Sequence, residues 1–179
     1  MYYQSSYDSP IGKLIIVSDE KNIIGLWMVG QKYFLGTLSH EAFQYTDNVV
    51  IKQTKNWMDR YFASQKPDIK ELPIVPIGSE FRQRVWKILC DIPYGTVTTY
   101  GDIAKQIAKE KGIASMSAQA VGNAVGHNPI SIIIPCHRVV GTQGSLTGYA
   151  GGIDKKIALL ELEGVDLSDY HRPKKGTAL

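Results

Sequence analysis

Thr96-Val97-Thr98-Thr99-Tyr100-Gly101-Asp102 opens the part of the chain whose pattern decides the fold. Thr99 and Asp102 have the spacing of a helix-opening capping box, and Ile103, Ala104, Ile107 and Ala108 recur behind them at helical intervals. Lys111-Gly112 closes that helix. A second helix begins near Ser115 or Ser117 and runs through Ala118-Gln119-Ala120-Val121-Gly122-Asn123-Ala124-Val125 until Asn128-Pro129 stops it. Two short helices joined by a Gly-containing link fit a helix-turn-helix.

The second helix consists almost wholly of small residues and lacks the long Arg or Lys side chains that read base edges in a major groove. Two readings stand. Its backbone approaches a narrow minor groove, where readout is degenerate, or it packs tightly against a neighbouring element.

Downstream, Ile130-Ser131-Ile132-Ile133-Ile134 reads as a buried strand or extended run, and Pro135 ends any regular ladder pairing. The next residues, Cys136-His137-Arg138-Val139-Val140, set one of two cysteines beside a histidine and an arginine. Neighbouring cations lower a thiol pKa and make it nucleophilic, whereas a cysteine in apolar surroundings is a small hydrophobe; both readings are open from adjacency alone. In a regular strand Cys136 and His137 would point to opposite faces, so the proline, by forcing an irregular backbone, matters to the chemistry. Five glycines in Gly141 to Gly152 form a mobile loop or a set of plain turns. A last helix runs from Asp154 to Glu163, with Ile157 and Leu160 on one face, and ends at Gly164. The tail His171-Arg172-Pro173-Lys174-Lys175 reads as a frayed, solvated end.

Upstream, Ser79 caps a helix with Phe81, Val85, Trp86, Ile88 and Leu89 on its apolar face, ended by Ile92-Pro93-Tyr94-Gly95. Cys90, at its end, reads as a buried structural thiol. Before it, the prolines of Lys66 to Gly78 predict extended chain and a domain boundary, dividing the protein into residues 1–75 and 76–179. Tyr2 to Tyr7, Lys13 to Ser18 and Ile23 to Val29 are β-rich runs separated by turn sequences, an antiparallel meander. A helix follows, capped by Asp47, with Val50, Thr54, Trp57, Met58 and Tyr61 recurring on one face. Nothing in the first 70 residues groups a nucleophile, a base or a ligand.

The 179 residues, 44% hydrophobic and 21% charged, describe an ordinary globular protein. No apolar run reaches a membrane span, and Met1-Tyr2-Tyr3-Gln4-Ser5 lacks the basic start and apolar core of a signal peptide, so the expected location is the cytoplasm, with no membrane partner. Cys90 and Cys136 lie too far apart for a CxxC site, which predicts reduced thiols, no structural metal and no cofactor. Net charge is +3, and the whole basic excess sits after residue 78. That suits a nucleic-acid surface there but falls short of a strongly basic stripe.

With Val121-Gly122-Asn123-Ala124-Val125 and Asn128-Pro129 before it and Gly148-Tyr149-Ala150-Gly151-Gly152 after it, Ile134-Pro135-Cys136-His137-Arg138-Val139-Val140 resembles the O6-alkylguanine-DNA alkyltransferases, also called methylated-DNA–protein-cysteine methyltransferases. The resemblance covers residues 79–165 well and, before residue 75, rests on a compatible strand-then-helix pattern. It implies an α+β, two-domain protein. The first domain is a ribonuclease-H-like scaffold, a small antiparallel sheet with a helix; the second is mainly helical and winged-helix-like, with a minor-groove helix-turn-helix. It also implies nucleotide flipping and irreversible transfer of an alkyl group from guanine O6 to the protein's own cysteine, and leaves O4-alkylthymine open as a second substrate. The partner is then double-stranded DNA containing O6-alkylguanine, bound by a chain that is monomeric without DNA.

Carried onto this sequence, the resemblance makes Cys136 the acceptor, His137 the residue that takes the thiol proton through a water, and Glu163 the carboxylate that orients it, a nucleophile, base and orienter set. Tyr100 donates to the leaving guanine, and Asn128 props the turn between the reading helix and the site. Thr99, Tyr100, Ser117, Ala118, Gln119, Ala120, Gly122, Asn123 and Arg138 contact DNA. Pro135, Val139, Tyr149, Ala150 and Gly151 wall the pocket. Two positions depart from the pattern: Gln119 stands where many members insert an arginine into the base stack, and Ala150 where some have a serine facing the guanine oxygen. The alternatives are a non-catalytic alkylated-DNA binder, which Cys136 counts against, a thiol hydrolase, which leaves the small-residue helix unexplained, and a sequence-specific regulator, which calls for longer reading side chains.

Overall fold

The computed structural model describes residues 1–173, which divide into two compact units: Met1–Gly78 with Pro129–Ile134, and Ser79–Asn128 with Pro135 onward. The first unit is built on a sheet of order β3-β2-β1-β4. Strands β1 (Tyr2–Ser9), β2 (Gly12–Ser18) and β3 (Ile23–Met28) form the expected antiparallel meander, and a short β4 (Phe43–Gln44) runs parallel to β1. Helix α1 (Val49–Phe62) buries Val50, Ile51, Thr54, Trp57, Met58 and Tyr61, the periodic face read from the sequence plus Ile51. Its cap is Asn48, not Asp47: the Asn48 side chain accepts from Ile51 N at 2.9 Å, while Asp47 is drawn to Lys55 Nζ at 2.8 Å.

All six residues of β3 are buried. Its open side is covered by two lengths of chain paired parallel to it, through Ile23 to Ile74 and through Leu26 to Ile130. A buried strand edge with satisfied backbone groups offers no template for aggregation.

The second pairing overturns the extended run expected at Ile130–Ile134. Leu26 N donates to Pro129 O at 2.8 Å and Ser131 N to Leu26 O at 2.9 Å, after which the chain turns back on itself, with Ile133 N on Ser131 O at 2.8 Å and Ile134 N on Ile130 O at 3.0 Å. Ile132 sits at φ 72°, a left-handed conformation that is strained for a β-branched residue and is sustained here by the bonds on either side.

The second unit contains α2 (Glu80–Cys90), α3 (Tyr100–Lys111), α4 (Ala118–Gly126) and α5 (Ile153–Leu162), with a two-residue parallel pair of β5 (Thr98–Thr99) and β6 (Val139–Val140). Ser79, Thr99 and Ser117 cap the first three helices, and Gly112 ends α3 at φ 64°, where a side chain would be strained. Trp86 in α2 is buried and donates from Nε1 to Ala124 O in α4 at 2.8 Å, fixing α4 to the core. Cys90 is half-buried rather than buried, and burial with the neighbouring Asp91 charge pushes its thiol up to about 11.

The loop of Gly141 to Gly152 is a series of turns, tied by Gly141 N to Ser145 O and Ser145 N to Thr142 O. The tail is not frayed as far as Arg172. His171 pairs with Ser145, Leu146 N donates to His171 O at 2.9 Å, and Arg172 reaches Asp154. Lys174 and Lys175 lie outside the described residues. Among those described, no helix is long and apolar enough to cross a membrane.

Candidate active site

Pro135 has no N–H and cannot extend the preceding backbone pairing, and the chain tightens after it into a 3₁₀ turn, Cys136–Arg138. Successive side chains on such a turn point about 120° apart, which separates the thiol from the two basic side chains without sending them to opposite faces. All three residues are buried, Cys136 being 4% exposed.

The carboxylate expected to orient the histidine comes from the end of α5. Glu163 is the C-terminal cap residue of that helix, and its two oxygens lie 3.2 and 3.1 Å from His137 Nε2. Gly95 lets the chain pass close by, since a Cβ there would lie 2.9 Å from Glu163 O. Burial raises the Glu163 pKa, but the hydrogen bonds from His137 and Arg138 outweigh it and hold the carboxyl below its ordinary value. For His137, burial is the largest influence; Glu163 opposes it, Arg138 and Lys156 add to it, and the imidazole pKa ends below its ordinary value. A neutral imidazole beside an ionised carboxylate donates from Nε2, which leaves Nδ1 as the basic nitrogen.

Burial likewise pushes the Cys136 thiol up, opposed by a hydrogen bond from the Asn128 side chain and by the charge of Lys156. Asn128, just past the end of α4, therefore acts on the sulfur itself. The structure adds a residue that sequence reasoning missed. Lys156 in α5 is 0% exposed, donating from Nζ to Val139 O at 2.5 Å and Thr147 O at 3.0 Å. Burial lowers its pKa to about 8 against the pull of Cys136. Lys156, Leu159, Leu160 and Glu163 share one helical stripe, and that spacing was the available signal.

Tyr100 opens α3 and is buried, its hydroxyl donating to Gly148 O at 2.8 Å and Thr147 O at 3.1 Å. Burial, then the Cys136 sulfur when it is ionised, push its pKa above the ordinary value, so it stays a donor. Beside it lies a cavity of about 440 Å³, lined by Tyr100, Gln119, Gly122 and Asn123 on the helices and by Thr147 and Gly148 among the loop residues. Gly122 is buried against the Tyr100 ring, where a Cβ would lie 3.7 Å from Cδ1. Ser117, Ala118, Gln119 and Asn123 are exposed, and Ala120 and Thr99 are half-buried.

The expected pocket walls do not line this cavity: Pro135, Val139 and Tyr149 are buried, and Ala150 and Gly151 half-buried. Arg138 is also placed differently from the DNA contact expected of it. Its side chain is 11% exposed and turned inward onto Glu163, because that buried carboxylate is a stronger attractor than solvent. Among the described residues, no cluster of three His, Cys, Asp or Glu could hold a metal ion.

Comparison with known proteins places most of the chain in one family. The family model described as "6-O-methylguanine DNA methyltransferase, DNA binding domain" matches residues 80–165, and that of the same family's ribonuclease-like domain matches residues 1–76. The methylated-DNA–protein-cysteine methyltransferase of Mycobacterium tuberculosis H37Rv is 42% identical over 91% of this chain and 93% of its own length. That of Haemophilus influenzae is 36% identical, over 93% and 89% respectively. A crystal structure of M. tuberculosis OGT in complex with DNA, 40% identical, superposes with a TM-score of 0.76 over 90% of this chain and 92% of that one. The chain is a member of the 6-O-methylguanine DNA methyltransferase family.

Proposed function

We propose that this chain repairs DNA by direct reversal, moving a methyl or larger alkyl group from guanine O6 to the sulfur of Cys136 in a single turnover. His137 takes the thiol proton, and Glu163 orients the imidazole and stabilises the imidazolium that forms. The thiolate attacks the alkyl carbon, the S–C bond forms as the O6–C bond breaks, and the electron pair passes to the guanine, which takes a proton from the Tyr100 hydroxyl, the thiol proton left on His137 then restoring the phenol. No cofactor takes part, and the S-alkylated protein is spent.

The observation that carries this reading is the buried thiol beside an imidazole and carboxylate in hydrogen-bond contact, behind a cavity walled by Tyr100 and a helix of small residues. Thr99, Ser117, Ala118, Gln119, Ala120, Gly122 and Asn123 lie on or near the face given to the minor groove, with Gln119 filling the gap left by the flipped nucleotide. Flipping costs a few kcal/mol. The base displaces the bonds between Tyr100 and the Thr147 and Gly148 carbonyls, and Pro135, Val139, Tyr149, Ala150 and Gly151 become its walls as the loop yields. Residues 76–179 bind and accept, residues 1–75 are scaffold, and the chain works as a cytoplasmic monomer.

Incubation with a duplex carrying O6-methylguanine, followed by intact-mass measurement, tests the proposal. One methyl gained per chain, and none by Cys136→Ser, is the expected result. Demethylation by an unmodified chain would make it a hydrolase, and binding without mass change a lesion binder.

A further inference from the structure

We infer that Arg138 is a positioning residue for alkyl transfer: its guanidinium holds Glu163 ionised and aimed at His137, which keeps the imidazole free to accept the thiol proton. The inference rests on the alkyl-transfer reading and goes beyond it in giving the arginine work inside the protein.

Each guanidinium nitrogen is engaged. Nε lies 2.8 and 3.0 Å from the two Glu163 oxygens, Nη2 is 2.5 Å from Oε1, and Nη1 donates to Ile92 O at 2.6 Å. The Tyr94 ring lies 5.6 Å from the guanidinium carbon, and its hydroxyl donates to Leu162 O at 3.3 Å. The turn after α2 and the end of α5 therefore clamp the arginine between them. Glu163 serves two donors at once, Arg138 and His137, and both contacts lie in a buried setting.

That sharing decides where the proton sits. The charged and titratable groups around His137 are Glu163 and Lys156 from α5, and Arg138 and Cys136 from its own turn, with Tyr100 of α3 facing the sulfur. If the arginine charge is removed, a buried carboxylate is left with only the imidazole to offset its burial. The pair then holds a proton at neutral pH, either on His137, which is thereby no longer a base, or on Glu163, which no longer orients one. A lysine cannot replace the fork, because an ammonium is a point charge that cannot span both oxygens and the Ile92 carbonyl.

The test uses the full chain with Arg138→Met and Arg138→Lys, and reads single-turnover methyl transfer from pH 5 to 9. DNA affinity is measured across a salt series, and iodoacetamide alkylation of Cys136 without DNA is followed by intact mass. In Arg138→Met the acid limb of the transfer profile is expected to move up by about one pH unit, with transfer about tenfold slower near neutrality. Arg138→Lys should fall between, and the salt slope of DNA binding should not change. An acid limb that stays in place in both variants overturns the inference, and so does a salt slope smaller by about 1, which marks a phosphate contact. If Arg138→Met does not fold, Arg138→Lys decides alone, a moved limb supporting the inference and an unmoved one overturning it. If wild type transfers no methyl, the repair reading fails, yet the alkylation profile still decides about Arg138 by whether it moves between wild type and variant.

Discussion

The two units bury different kinds of polar group. In the first, the buried polar residues among those described are Ser18, Gln31, Thr54 and Ser131, none of them charged. The second buries His137, Arg138, Lys156 and Glu163, with Asn128 and the Cys136 thiol beside them. An apolar core of the same volume would be as stable or more so, since desolvating ions costs several kcal/mol each before their attraction offsets it. The contrast teaches where evolution has accepted that cost: the first unit is organised for packing, the second for holding protons in unfavourable places.

Substitutions can break this contrast or sharpen it. The largest stability effect belongs to the first unit. Met58→Ala removes a fully buried side chain from α1 and should cost about 2–5 kcal/mol in denaturant unfolding. Methyl transfer per folded molecule should keep its pH profile; a displaced profile would mean that the first unit also tunes the chemistry.

Lys156→Met should do the converse, slowing transfer by about tenfold while the fold persists. Its folded pKa of about 8 lies below the ordinary 10.5, so between those values the unfolded chain binds more protons and wild-type stability gains from rising pH. The stability of wild type relative to Lys156→Met should therefore rise by about 3 kcal/mol across that window in unfolding experiments at fixed pH. A flat difference would mean that Lys156 is not a buried ammonium. The smallest effect is expected at the surface. Gln119→Arg should tighten DNA binding several-fold and steepen its salt dependence, as an added cation near phosphates does, and equal affinities and slopes would remove Gln119 from the interface.

Much of the architecture was legible because it depends on local signals. Helices α2, α3 and α4 carry caps and periodic apolar faces, and β1 to β3 are separated by strong turn sequences. The reading failed where a distant partner decides. Ile130–Ile134 looks extended as a string of β-branched residues, yet it is bent by bonds to Leu26, over a hundred residues earlier. Arg138, expected from the resemblance to contact DNA, is instead turned onto Glu163, 25 residues on. Asp47 and Asn48 are both good caps, and Lys55 decides between them. Lys156 was missed because a lysine in an amphipathic helix is ordinarily solvated.

The burial of Cys136 has a further consequence. A reactive cysteine usually advertises itself with a lowered pKa, and pays in oxidation and stray alkylation. Here the thiol is 4% exposed and held protonated by its surroundings. For a reagent that can be used once, that is protection in storage: peroxide and soluble electrophiles meet a thiol rather than a thiolate, behind a closed door. On the proposed reaction the sulfur is reached only by a base admitted to its buried site, so shelf life and selectivity would have the same origin.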